Sequence, residues 1–117
     1  MNGWISKPWG WTLCLYADDR FELWTAHVLA GGYSSLHHHD LKANRISCRD
    51  ATLAVWVNDV ATIVNPGQHI DIPAGVPHRF EVLESGRIWE TYTGQCHPQD
   101  IVRRDTNGWK PPRRFVA

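Results

Sequence analysis

The chain has 117 residues, 43% of them hydrophobic, and its twelve Lys and Arg balance its twelve Asp and Glu. That length suits one domain, 1–117, with a single core, and the balance of charge gives no reason to expect nucleic acid or an anionic membrane as partner. No apolar run approaches a bilayer-spanning length. The stretch "MNGWISKPWGW" has neither the basic region nor the apolar segment of a secretion signal, so a soluble cytoplasmic protein is expected.

In chain order, residues 1–11, with Trp4, Trp9 and Trp11, read as an arm for packing or exchange with a second copy. "TLCLYA" is extended and "DDR" turns. "RFELWTAHVLA" alternates and is rich in aromatic and β-branched residues, so it reads as a strand, and "GGYSS" breaks it. After the histidine run come "NRIS" and the turn "CRDA". "TLAVWV", "NDV" and "ATIV" read as strand, hairpin turn and return strand. "NPG" is a turn, "QHIDI" a strand closed by "PAGVP", and "HRFEVL" and "RIWETYTG" are two more strands joined by "ESG". The tail 103–117 is basic and proline-containing, and is expected to run over the surface. About eight short strands without helical periodicity predict an all-β sandwich or barrel, and a double-sheet jelly roll leaves a mouth for a ligand. Small jelly rolls also expose edges, which predicts a homodimer.

Cys14, Cys48 and Cys96 are odd in number and lack a CxxC pair, so they are read as reduced thiols rather than a disulfide framework. Seven tryptophans suit a small β core, and a Trp such as Trp89 can also stack on a sugar ring.

The dense histidines carry the chemistry. On an extended segment His37 and His39 share a face and His38 points the other way, and two imidazoles at that spacing make half of a metal site. The second motif, "GQHIDIPAGVPHRF", presents His78 after a rigid Pro–Gly turn. His69 is placed at the mouth of a barrel, His27 reads as structural, and His97 as solvated.

Together these motifs resemble those of the cupin superfamily. Gly31, His37 and His39 match the start of its first motif, and Gly67, Pro73, Gly75 and His78 match its second. The resemblance implies a double-stranded β-helix, a jelly-roll barrel with His37, His39 and His78 converging on a divalent transition metal such as Zn, Mn, Fe or Ni. "KPWGW", "SLHHHDLK", "IPAGVPHRF", "ETYTG" and "DIVRRD" also follow in the order found in the cupin domain of type II mannose-6-phosphate isomerases. That narrower resemblance brings Arg79, after His78, and Glu90 into consideration as site residues.

The pattern breaks at the acidic ligand. In this alignment its place falls on Lys42, and in longer spacings on Ala43 or Asn44; none is a carboxylate, and a protonated lysine cannot coordinate a metal. Three readings follow. Water completes a three-histidine site; another carboxylate substitutes, with Glu90 ahead of Asp40 and Asp71; or metal binding is weakened and Lys42 has a new role, including an ion pair with Glu90. Three functions remain open: an aldose–ketose isomerase acting on a sugar or sugar phosphate, with Glu90 and Lys42 as catalytic groups and Arg79, His69 and Trp89 on the substrate; another metal-dependent enzyme such as an iron oxygenase; and a non-enzymatic binder of a small molecule or sugar.

Overall fold

The computed structural model describes residues 3–97 and 99–111, which form thirteen β-strands and no helix. In chain order they are β1 (Trp4–Lys7), β2 (Gly10–Ala17), β3 (Phe21–Val28), β4 (Gly32–Tyr33), β5 (His37–His38), β6 (Lys42–Cys48), β7 (Thr52–Val57), β8 (Val60–Val64), β9 (His69–Ile72), β10 (His78–Glu84), β11 (Gly86–Gly94), β12 (Val102–Arg103) and β13 (Gly108–Trp109). All pairings between them are antiparallel. One sheet has the order β1-β2-β3-β11-β6-β9. In the other, β10 is flanked on one side by the β7–β8 hairpin and on the other by β5 and β4, which carry β12 and β13 in turn.

Alternation explains which side chains meet between the sheets. Along β6, Lys42, Asn44, Ile46 and Cys48 are buried while Arg45 is exposed; along β10, His78, Phe80 and Val82 are buried. The two inner faces close one core, with Ala26, Val28, Ile46, Ile72 and Ile88 against Leu53, Val55, Val64, Phe80 and Val82. Each large aliphatic side chain buried there contributes about 1.5–3 kcal/mol. The β7–β8 turn is the two-residue kind expected of "NDV": Asn58 and Asp59 have φ of 51° and 67°, conformations that these two residue types tolerate and that match the twist of a hairpin.

Every long strand expected from alternation is present. The differences lie in pieces of two to four residues, too short to show a period. "GGYSS" contains β4 rather than a plain break. The described part of the expected arm folds back as β1 onto β2 of the same chain. The tail expected over the surface is mostly exposed as far as it is described, and it also contributes β12 and β13 to the second sheet; Arg113 and Arg114 lie outside the described residues. Gly31 admits this tail. At its φ of 94°, the carbonyl of Lys110 occupies the space a Cβ would need, and the Lys110 amide donates to the Gly31 carbonyl at 2.8 Å.

Candidate metal centre

His37, on β5, pairs across the sheet with His78 at the start of β10, and His39 follows two residues later. One ring nitrogen from each of the three imidazoles lies within 4.8 Å of the others. The opposite edge of each ring is anchored to a carbonyl. Nδ1–H of His37 donates to Ser35 O at 2.8 Å, that of His39 to Asp100 O at 2.6 Å, and that of His78 to Val76 O at 2.9 Å. A carbonyl only accepts, so each Nδ1 carries the proton and each Nε2 keeps its lone pair. Nε2 of His39 and of His78 are buried without a partner. Burial, followed by the neighbouring His78, pulls the His37 pKa down to about 3, and burial pulls His78 to about 4. His39 is lowered too, chiefly by burial. All three are therefore neutral near pH 7. Neutral, oriented imidazoles with unsatisfied lone pairs turned toward one another are the donor set a divalent transition metal requires, so the residues present fit such an ion.

The histidine run is held by the segment 100–105. Val102 and Arg103 pair with His38 and His37. The Asp100 carboxylate accepts from the amides of Asp40 and Leu41 at 2.8 and 2.9 Å, just past His39. Asp105 accepts from the amide of Leu36, and the Arg104 amide donates to Leu36 O at 2.8 Å, just before His37. "DIVRRD" thus fixes both ends of the run.

Behind the histidines is a cavity of about 640 Å³ between the sheets. Lys42 lies on its wall, and its partner is Glu22, not Glu90. Nζ is 3.0 Å from Glu22 Oε2, with both side chains about nine-tenths buried. The other Glu22 oxygen accepts from Trp24 Nε1 at 2.9 Å. Burial raises the Glu22 pKa, but the Trp24 and Lys42 hydrogen bonds outweigh it and the net shift is downward. Lys42 also sits over the Tyr92 ring, 4.2 Å from its centroid. Glu90 faces the cavity as well and accepts from the Tyr92 hydroxyl at 2.9 Å. Burial raises its pKa, against the Tyr92 hydrogen bond and the Lys42 charge. The Tyr92 hydroxyl is pushed well above its ordinary value by burial and then by Glu90.

The other expected residues lie elsewhere. Arg79 is on the outer face of β10, with its guanidinium 4.2 Å from the Trp56 ring centroid. His69 is half exposed and 3.7 Å from Asp71, which is bound by Arg45. Trp89, opposite in parity to Glu90, does not line the cavity; Trp9 and Trp24 do. Asp40 is exposed beside His38, and neither it nor Asp71 joins the cluster of His37, His39 and His78. The three cysteines are free thiols. Sequence reasoning passed over Glu22, Asp100 and the hydroxyl of Tyr92. The signal for Glu22 was present, since it is the one acidic side chain on the same strand face as Ala26 and Val28.

Two sheets of a jelly roll carrying three inward histidines near one mouth make the cupin fold. A solved RmlC-like cupin from Shewanella frigidimarina superposes with a TM-score of 0.71 and 15% identity over 80% of this chain and 82% of its own. Streptomyces Pac13, solved with uridine and described as a nucleoside dehydratase, superposes with a TM-score of 0.76 and 10% identity over 88% and 84%. No family model matches the chain. Among curated proteins, a mannose-1-phosphate guanylyltransferase of Sinorhizobium fredii is 34% identical over 76 residues, covering 65% of this chain; the match spans only 15% of that relative's length.

Proposed function

We propose that the chain is a metal-dependent cupin that acts on a sugar or sugar phosphate as an aldose–ketose isomerase. The observation that carries the proposal is the triangle of His37, His39 and His78, each ring locked by a carbonyl with its Nε2 free. A zinc, manganese, iron or nickel ion held there would supply Lewis-acid polarisation of neighbouring carbonyl and hydroxyl oxygens. The proton that moves between adjacent carbons needs a side chain that both accepts and donates near neutrality. Glu90 lies in the cavity, and burial moves its pKa upward, the direction such a proton carrier needs. The Tyr92 hydroxyl steadies the Glu90 carboxylate when the proton is on the substrate. Lys42 is paired with Glu22, but its ammonium keeps further N–H groups that would donate to an oxygen where enediolate charge develops. The name of the curated relative, an enzyme of a mannose phosphate, supports a sugar-phosphate ligand.

The test is exchange. Protein loaded with each metal in turn is incubated with mannose 6-phosphate in deuterated water, and deuterium is expected at the carbon beside the carbonyl. No exchange at any metal loading overturns the isomerase. A second reading, a binder without catalysis, is favoured by one observation: no carboxylate joins the three-histidine cluster among the described residues. Saturable sugar-phosphate binding without deuterium uptake would select it.

A further inference from the structure

We propose that Trp24 is the platform on which the ring of a sugar ligand stacks, beside Glu90. The inference deepens the sugar reading and rests on it for the class of ligand. Trp89, the tryptophan expected to meet a sugar, is opposite in parity to Glu90 on β11 and does not line the cavity. Trp24, on β3, is half-buried and does line it. Other tryptophan rings are taken up within the chain. Trp4 packs on His27 with ring centroids 5.5 Å apart, Trp9 meets Phe80 edge-on at 5.3 Å and rests on the core, and Trp56 carries the Arg79 guanidinium. Among the described residues no aromatic ring and no cation lies against Trp24, and it is not packed on the aliphatic core. Its indole is held by the edge: Nε1–H donates to Glu22 Oε1 at 2.9 Å, and Lys42 donates to the other Glu22 oxygen at 3.0 Å. An indole clamped by its N–H keeps its faces for a ligand, and its position is set before the ligand arrives.

Register places the platform beside the reacting groups. Trp24 is the cross-strand partner of Glu90, and such partners share a face with Cβ atoms roughly 4.5–5.5 Å apart. Glu90 accepts from the Tyr92 hydroxyl at 2.9 Å, and the Tyr92 ring meets that of His39 with centroids 5.3 Å apart. Neighbouring side chains thus lead from the histidines through Tyr92 and Glu90 to Trp24. The surroundings of the indole specify the ligand. Glu22, Lys42, Glu90 and Tyr92 make a polar rim on the same wall. An independent observation extends it: Asn44, the cross-strand partner of Tyr92 and 4% exposed, has its Oδ1 buried without a donor. A pyranose presents a C–H face bordered by hydroxyls. The face suits the indole, and the hydroxyls, which both donate and accept, suit the rim. A nucleobase would cover the indole but itself brings no hydroxyl. The cavity, about 640 Å³, has the size of small-molecule pockets, which run to roughly 300–1,000 Å³.

Isothermal titration of protein incubated with zinc tests the platform apart from any reaction. The ligands are mannose 6-phosphate, the open-chain mannitol 1-phosphate, which has no ring to stack, and uridine. The variants are Trp24→Phe and Trp24→Leu, with metal content and melting temperature measured alongside. Both variants remove the N–H that Glu22 accepts, so that loss is common to them and the aromatic face separates them. Wild type is expected to bind mannose 6-phosphate saturably. Trp24→Leu should weaken that binding about tenfold or more and Trp24→Phe about threefold or less, while mannitol 1-phosphate changes by less than about threefold in either. Equal affinity for mannose 6-phosphate in all three proteins overturns the platform. So do an equal loss for both phosphates, a wild type that binds no mannose 6-phosphate, and uridine binding tighter than it. If Trp24→Leu does not fold, proton NMR compares wild type with Trp24→Phe. The sugar ring protons should move upfield on binding to wild type and move less in the variant; equal shifts overturn the proposal. Binding that depends on Trp24, with no deuterium exchange, would refute the isomerase and keep the platform. Exchange together with unchanged binding in Trp24→Leu would do the reverse.

Discussion

Lys42 stands where an acidic ligand is expected, and Glu22 determines the consequence. Nine-tenths buried, neither member of the pair is comfortable alone. Lys42→Met should therefore cost about 3–5 kcal/mol, because it strands a buried carboxylate. Adding Glu22→Gln should recover most of that loss in a denaturant titration; equal stability of the two variants would contradict the pair. Lys42→Glu supplies a fourth ligand but sets it against Glu22. It should lower the melting temperature of the metal-free protein and widen the rise that zinc produces. For the histidines, His78→Ala should abolish metal uptake, read by metal analysis after dialysis. Their pH response has a fixed sign. An unfolded imidazole titrates near 6.5, roughly, whereas His37 and His78 in the folded state titrate at about 3 and about 4. Between those values the unfolded chain binds protons that the folded chain refuses. The metal-free protein should be at full stability above the unfolded pKa and lose it as pH falls toward the folded values. Melting curves over that window check this, and His78→Gln should flatten the slope.

At the scale of elements, the segment 100–105 acts on the histidines from behind. Asp100 orients His39 through its carbonyl and pins the next two amides through its carboxylate. Asp100→Ala keeps the carbonyl but frees the loop, and should weaken metal affinity by about 10–100-fold in a chelator competition, the usual effect of losing a group that orients a ligand. Asp100→Asn, which keeps one acceptor, should fall between. This element also shows where sequence reading stops. His37, His39 and His78 were legible because strand alternation and a Pro–Gly turn are written in side chains. The support of His39 was not, because it is a main-chain oxygen 61 residues away, which any residue type could supply. Lys42 was seen as anomalous, but choosing Glu22 over Glu90 as its partner required knowing that β3 and β6 lie on either side of β11. β4, β5, β12 and β13, of two residues each, carry no period to detect.

For the whole molecule, the two sheets divide the labour. One end between them is filled by aliphatic side chains, and the other is left open as the cavity. Residues 4–7 are satisfied within their own chain, so an exchanged arm is not needed for a dimer. Light scattering that gives twice the chain mass would still meet the expectation of a homodimer, through paired sheet edges or faces rather than an exchanged arm. The pairing of β5 with β12 has a further consequence in time. A chain is synthesised from its N-terminus at about 5–20 residues per second. The chain therefore contains His37 and His78, together with the Ser35 and Val76 carbonyls that orient them, before the Asp100 carbonyl that orients His39 has been made. Long-range closure of this kind is among the slowest steps of β-sheet folding. Of the three rings, that of His39 alone waits for the late segment to be set.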